Sequence, residues 1–250
     1  MKSAVIFSGA GLSAESGIPT FRDANGLWEN HRFEDVASPA GWRRDKALVL
    51  RFYKLRFEAL RAARPNPAHQ AIARLQQKFH VVNITQNVDD LLEQAGCMHV
   101  VHLHGTLTRR KCEWHHDIGV VPGDPEFACD YKSAHTAAVE LGEMCPKCGG
   151  QLRPDVVWFG EAVDMHYEQL AALVDLLQRE DGVFICVGTS AQVYPAASLL
   201  ELFAPVRRKF FVDRQPQRVR DYTLIAAPAG EALPRLVDEL LGGETGEPQA

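Results

Sequence analysis

Short apolar runs separated by helical patterns constrain this chain more than any other feature. The runs are AVIFS (4–8), HVVNIT (80–85), VVHLHG (100–105), DVVWFG (155–160), VFICVG (183–188), KFFVD (209–213) and YTLIAA (222–227). Their Val, Ile and Phe content suits strands, and several are apolar at consecutive rather than alternate positions. Strands of that kind are buried on both faces, as in a parallel sheet covered by helices. Helical patterns lie between many of them. Residues 45–63 place Leu48, Phe52, Leu55 and Ala59 at helical spacing, and PNPAHQAIARLQQKF opens with Asn66 as N-cap and Pro67 at the first helical position. DMHYEQLAALVDLLQRE and ALPRLVDELL are amphipathic as well. The expected fold is therefore α/β: a doubly wound parallel, Rossmann-like sheet.

The alternation breaks twice. Residues 26–79 hold helical material without a good strand, and residues 106–154 are polar with scattered Cys, His, Gly and Pro. Both read as insertions that together form a smaller second lobe. Residues 1–25, 80–105 and 155–240 are left as the Rossmann-like lobe, and 241–250 as a frayed tail. In such sheets ligands sit beyond the carboxyl ends of the strands, so the cleft between lobes is the expected site.

Composition excludes some partners. With 250 residues and a net charge of −5, the chain has no general attraction to nucleic acid or to an anionic membrane. No apolar run approaches the roughly 20 residues of a spanning helix, and no export signal precedes the first strand, so a soluble cytoplasmic protein is expected. A monomer is expected too. In a reducing compartment the six cysteines read as thiols or metal ligands rather than disulfides.

The first strand runs into Gly9-Ala10-Gly11-Leu12-Ser13-Ala14, which fits a dinucleotide fingerprint: glycines permit a tight turn and close approach to a pyrophosphate. A glycine-rich turn without ligand has the same pattern. An ordinary dehydrogenase would continue into a helix and a second strand within a unit of about 30 residues. Here Gly17, Pro19 and Gly26 interrupt the following segment, and the next strand waits until His80. Hydride transfer loses its support on that spacing.

CPKCGG (145–150) sets two thiols in a tight glycine turn, a zinc-knuckle pattern. In VVHLHG, strand alternation would put Val101 and Leu103 on one face and His102 and His104 on the other; either histidine could be a general base or a hydrogen-bonded rim residue. TQNVDD offers amides and carboxylates suited to a carboxamide and ribose, or to an Asx turn capping a helix.

Taken in order, GAGLSAESGIPTFRD (9–23), TQNVD (85–89), HLHG (102–105), CPKCGG, VVWFGE (156–161) and GTS (188–190) resemble the sirtuin family, and GLWENHRFEDVA (26–37) is most similar to its bacterial class III members. The resemblance implies NAD-dependent removal of acyl groups from protein lysines. In that reaction the acyl oxygen displaces nicotinamide from NAD, His104 deprotonates a ribose hydroxyl, and the acyl group ends on ADP-ribose. It assigns catalysis to His104 and Asn87. NAD contacts fall on Gly9, Ala10, Gly11, Ala14, Glu15, Ile18, Thr20, Phe21, Arg22 and Trp28, on Gln86, Asn87 and Asp89, on Gly188, Thr189 and Ser190, and on Asp213 and Ala229. Sirtuins usually carry asparagine where this chain has Asp213. An aspartate there would still accept from ribose hydroxyls and repel a 2′-phosphate, so preference for NAD over NADP is expected.

The substrate side follows in the same way. Val156, Val157, Phe159 and Gly160 resemble the segment that pairs with a substrate backbone by strand addition. Tyr53 and Arg56, three apart on one helix, fall where class III members receive the carboxylate of succinyl- or malonyl-lysine, and Ala37 resembles the small residue that leaves room for the chain. For structural zinc, Cys112, Cys145 and Cys148 are joined by a fourth ligand, His115 being proposed and His116 and Cys129 competing, because the usual second Cys-x-x-Cys reads Cys112-Glu113-Trp114-His115. Protein mono-ADP-ribosyl transfer and a catalytically poor NAD-sensing scaffold are the rival readings.

Overall fold

A computed structural model describes residues 2–20, 27, 28, 31–116 and 129–242. The strands are β1 (Lys2–Ser8), β2 (Leu27–Trp28), β3 (His31–Arg32), β4 (Phe79–Thr85), β5 (Val100–His102), β6 (Gly105–Cys112), β7 (Lys132–Ala134), β8 (Leu152–Val156), β9 (Val183–Val187), β10 (Arg208–Asp213) and β11 (Thr223–Ala226). The helices are α1 (Phe33–Val36), α2 (Pro39–Arg44), α3 (Lys46–Ala62), α4 (Pro67–Leu75), α5 (Leu91–Gln94), α6 (Tyr167–Arg179), α7 (Leu199–Leu202) and α8 (Ala229–Leu240).

Six strands form one sheet in the order β11-β10-β9-β1-β4-β5, and every pairing is parallel. β1 lies in the middle, and Ala4 to Phe7 are fully buried, as the unbroken apolar run requires. Successive side chains go to opposite faces. Ala4 and Ile6 join a core with Ile72 and Leu75 of α4 and Leu233 and Leu236 of α8. Val5 and Phe7 join another with Leu170, Val174 and Leu177 of α6 and with Phe184 and Phe203. The chain leaves β1 for β4 on one side while β9 flanks it on the other, so the crevice at their carboxyl ends is a topological switch point.

The smaller lobe is built on the antiparallel sheet β7-β6-β8. Its core joins Leu107 and Leu152 from this sheet to Val36, Trp42, Val49, Phe52, Tyr53 and Phe57 from α1, α2 and α3. α3 begins where the Asp45 side chain accepts from the Leu48 amide, and α4 where Asn66 caps Ala68 and His69.

Three expectations need correction. α4 lies inside the stretch assigned to the helical insertion, yet it packs on the large sheet beside α8; its apolar stripe matches that sheet's face. DVVWFG was expected as a strand of the parallel sheet. The strand instead spans Leu152–Val156 and pairs antiparallel with β6, Gly105 opposite Val156 and Cys112 opposite Leu152. An apolar run shows burial but not which sheet supplies the partner. In VVHLHG the strand stops at His102, and a turn at Leu103 and His104 separates it from β6. Val101 is accordingly 40% exposed and Leu103 only 5%, against the expected shared face.

Candidate active site at the mouth of the parallel sheet

Two loops meet backbone to backbone above β1 and β9. The Gly9 amide donates to the Val187 carbonyl at 3.0 Å and Gly11 to the Gly188 carbonyl at 2.7 Å. A Cβ on Gly9 would lie 2.7 Å from Thr189 Cβ, and one on Gly11 2.7 Å from Gly188 Cα. Gly188 itself has φ +63°. Close packing of the loops therefore demands glycine at these positions. Ala10–Leu12 and Ala14–Ser16 form single 3-10 turns, not the long helix of a hydride-transfer domain. Ile18 packs on the core of the smaller lobe, and Thr20 is half-buried. The Glu15 carboxylate accepts from the Gly230 amide at 2.7 Å at the start of α8, next to Ala229. Phe21 and Arg22 lie outside the described residues, and the backbone of Trp28 is in β2.

Ser13 links the first loop to the residues after β4. Its hydroxyl donates to Asp89 Oδ2 at 2.9 Å and accepts from Asn87 Nδ2 at 3.1 Å. The Asn87 amide donates to Thr85 Oγ1, which also accepts from Ser8. Gln86 Nε2 donates to Thr189 Oγ1 at 3.0 Å, tying the β4 and β9 loops together. Asn87 and Asp89 are both buried; burial raises the Asp89 carboxyl, and the Ser13 bond works against that rise. Asp213 is buried at the end of β10, its Oδ1 accepting from the Gln215 amide, and the Ser190 carbonyl accepts from Gln217. Ser13, Asn66 and His69 were not foreseen as site residues. His69 is fully buried, its Nδ1 accepts from the Asn66 amide, and burial pushes it down to about 4, so the ring is neutral. Asn66 Nδ2 also donates to the Leu12 carbonyl, a contact spanning 54 positions that local patterns cannot show.

The two histidines separate in role. His104 Nδ1 is 3.1 Å from the Gln86 carbonyl oxygen, which can only accept, so Nδ1 carries the proton and Nε2 keeps its lone pair. Burial holds His104 below the ordinary imidazole range, which keeps it in the neutral form a base needs. His102 Nδ1 instead meets the Asn87 carbonyl at 2.9 Å, and its Nε2 meets Glu93 Oε1 at 2.7 Å.

A wall beside His104 gathers the residues expected to take the substrate. The Val157 amide donates to the His104 carbonyl at 2.9 Å, and the Phe159 amide to the Ala37 carbonyl at 3.0 Å. Val156 to Gly160 thus span from the histidine to α1. Phe159 is 41% exposed, and Gly160 is exposed with φ +92°. Behind them Trp158 Nε1 donates to the Tyr53 hydroxyl at 2.9 Å, and the Arg56 guanidinium lies 3.8 Å over the Phe52 ring. Tyr53 and Arg56 are both buried, and burial pushes the Tyr53 phenol up while the Arg56 charge opposes it. Arg153 and Glu161, unforeseen, anchor this segment from beneath as a buried bidentate pair at 2.7 and 2.8 Å.

At the far end of the smaller lobe, Cys112, Cys129, Cys145 and Cys148 bring their sulfurs within 4.8 Å of one another. The Cys112–Cys148 pair is 3.3 Å apart and Cys129–Cys145 3.8 Å. Tetrahedral zinc with bonds of about 2.3 Å needs sulfurs about 3.8 Å apart, so four thiolates fit the ion. This corrects the fourth ligand from His115 to Cys129. Backbone bonds from Cys129 to Trp114 and from His116 to Cys129 bring Cys129 beside the end of β6, while the His115 ring stacks on His116 with centroids 4.4 Å apart.

A profile of the Sir2 family matches residues 9–195. An NAD-dependent protein deacylase of Bacteroides thetaiotaomicron is 43% identical over 216 residues, covering 86% of this chain and 87% of that one. One of Pyrococcus furiosus is 39% identical over 249 residues, covering 95% and 92%. Among solved structures, a Sir2 homologue–NAD complex superposes with TM-score 0.79 at 37% identity, over 96% of this chain and 90% of that one. A mutant Sir2 homologue with ADP ribose gives 0.81 at 36% identity, over 99% and 95%. The chain belongs to the Sir2 family.

Proposed function

We propose that the protein is an NAD-dependent protein-lysine deacylase that accepts succinyl- and malonyl-lysine as well as acetyl-lysine. The observation that carries this reading is the neutral His104, its Nε2 available as a base beside the Asn87–Ser13–Asp89 network at the sheet mouth. NAD is consumed: nicotinamide leaves as the acyl oxygen attacks the ribose carbon, and the acyl group departs on ADP-ribose. His104 takes the proton of a ribose hydroxyl in that sequence. The glycine loops supply close backbone approach for the phosphates, and Gln86, Asn87 and Asp89 supply polar groups for ribose and carboxamide. Asp213 suits unphosphorylated adenosine ribose.

Tyr53 and Arg56 supply a hydroxyl and a guanidinium for an acyl carboxylate, with Ala37 leaving volume beside them. The segment Val156 to Gly160 offers an edge for an extended substrate backbone. Cys112, Cys129, Cys145 and Cys148 would hold zinc, which ties the insertion together without an open coordination position. Among the described residues no helix is long and apolar enough to cross a membrane. The reading takes in a cytoplasmic monomer acting on acylated proteins rather than nucleic acid, in keeping with a net charge of −5. The alternative of ADP-ribosyl transfer to protein is not favoured, since the curated relatives carry the deacylase name.

Incubation with NAD and acetyl-, succinyl- or unmodified peptide, followed by mass analysis, tests the reaction: O-acyl-ADP-ribose is expected, and ADP-ribosylated protein without it would refute the assignment. Arg56→Met tests the pocket. A charged hydrogen-bonded contact is worth about 1.5–3 kcal/mol, so succinyl-lysine kcat/KM should fall about 10- to 150-fold while acetyl-lysine changes little. Equal losses on both substrates would sink the carboxylate pocket.

A further inference from the structure

His102 is a titratable group at the site mouth that the reaction itself does not use. It ends β5, its side chain is 14% exposed, and its two ring nitrogens face two different acceptors. Nδ1 lies 2.9 Å from the Asn87 carbonyl oxygen and Nε2 2.7 Å from Glu93 Oε1 on α5. A carbonyl and a carboxylate only accept, so both nitrogens must donate, which a neutral imidazole cannot do. Burial pushes Glu93 up, yet the bond and charge of His102 outweigh it and hold the carboxyl below its usual range. Burial likewise opposes the charge on His102, and the bonds to Glu93 and Asn87 outweigh it. Asp89, in the loop after β4, is the second acid facing the ring and favours its charge as well.

The carbonyl that His102 grips belongs to Asn87, whose side chain reaches Ser13. The preceding carbonyl, of Gln86, sets the tautomer of His104. Two consecutive carbonyls therefore hold two histidine rings by Nδ1, one charged and one neutral. We propose that His102, as an imidazolium bridging Glu93 and the Asn87 carbonyl, is a positioning residue that fixes the Gln86–Asn87 backbone on which the deacylation chemistry is aimed. The proposal rests on the deacylase reading for its kinetic consequences, and on geometry alone for the charge of the ring.

A sign follows for pH. When His102 loses a proton, the carboxylate of Glu93 retains the Nε2–H, because the charge-assisted bond is the stronger one. Nδ1 then presents a lone pair to the Asn87 carbonyl, and attraction turns to repulsion. The wild-type kcat should fall as pH rises through the His102 pKa, which lies above the ordinary imidazole value. In Glu93→Gln the amide can donate to Nε2, so a neutral ring with its proton on Nδ1 satisfies both partners, and this alkaline fall should vanish. His102→Leu keeps bulk without a donor and should lower kcat about tenfold or more with little change in the KM for acylated peptide.

The test combines kcat–pH profiles of wild type, Glu93→Gln and His102→Leu with ring-nitrogen NMR of labelled protein, the His102 signals being assigned by their loss in His102→Leu. Two protonated nitrogens on His102 near neutral pH, and an alkaline limb present in wild type but absent in Glu93→Gln, are expected. A neutral His102 ring there, or the same limb in both proteins, would overturn the proposal. Failure of wild type to release nicotinamide with any acylated peptide would count against the deacylase reading instead, and the NMR measurement would still decide the charge of His102.

Discussion

Glu161→Ala probes the segment that carries the substrate wall. Glu161 and Arg153 are 1% and 2% exposed and pair through both carboxylate oxygens. The same carboxylate accepts from the Trp158 amide at 2.9 Å, and the guanidinium lies 3.4 Å over the Trp158 ring. Removing the acid strands a buried cation and a buried amide together. Breaking a buried pair on one side costs about 3–5 kcal/mol. For a chain of this length 1 kcal/mol moves Tm by about 2–4 °C, so the expected fall is about 6–20 °C. Among the described residues Arg153 Nε has no hydrogen-bond partner. Arg153→Met combined with Glu161→Met should lose less than Glu161→Ala alone: both variants strand the Trp158 amide, but the double one adds only the Val156 carbonyl, at about 1–3 kcal/mol, in place of an unpaired buried cation. Urea unfolding followed by tryptophan fluorescence measures both variants. Because residues 156–160 hang from this pair, Glu161→Ala should also raise the KM for acylated peptide more than that for NAD. A loss below about 1 kcal/mol for the single variant, or a double variant less stable than the single one, would refute the electrostatic account.

The metal and the base give two further predictions. Cys129→Ser should lower both the zinc content of protein purified without chelator and its thermal midpoint, whereas His115→Ala should keep near-stoichiometric zinc; metal analysis showing the reverse would restore His115 as the fourth ligand. With His104 as the proposed base and burial holding its pKa down, kcat/KM should rise with pH through an acid limb below about 6.5; a limb above that value, absent from the substrate's own titration, would contradict the burial argument.

The large sheet was legible because its strands are apolar at consecutive positions, and AVIFS and VFICV are buried on both faces as that pattern demands. α3 was legible from its spacing, and α4 down to its Asn66 cap. What local pattern could not supply was choice of partner. DVVWFG carries the same burial signal whether it pairs parallel to β5 or antiparallel to β6, and the buried charges of β8, Arg153 and Asp155, are paired with Glu161 and Lys132, partners that no local pattern names. Zinc ligation failed in the same way. Cys129 stands 17 positions beyond Cys112, while His115 stands at the familiar spacing, and only the backbone bridge at Trp114 and His116 decides between them. His102 and His104 could be placed at one cleft from spacing, but their different charge states depend on Glu93 and on which carbonyl each ring meets.

The glycine turn shows how a correct motif can carry a second cause. Gly9 and Gly11 match a phosphate-binding fingerprint, and that role needs backbone amides free of side-chain cover. Here the nearer obstacle is protein: a Cβ at Gly9 strikes Thr189, one at Gly11 strikes Gly188, and one at Gly188 would sit 2.3 Å from the Leu12 amide nitrogen. The three glycines are thus mutually required, by loops that follow β1 and β9, the neighbouring strands of the large sheet farthest apart in sequence. That contact fixes Ser13 just beyond the turn, and Ser13 in turn orders Asn87 and Asp89. Any side chain larger than hydrogen at Gly11 should therefore disturb the Asn87 side chain through the protein itself, before cofactor approach is considered.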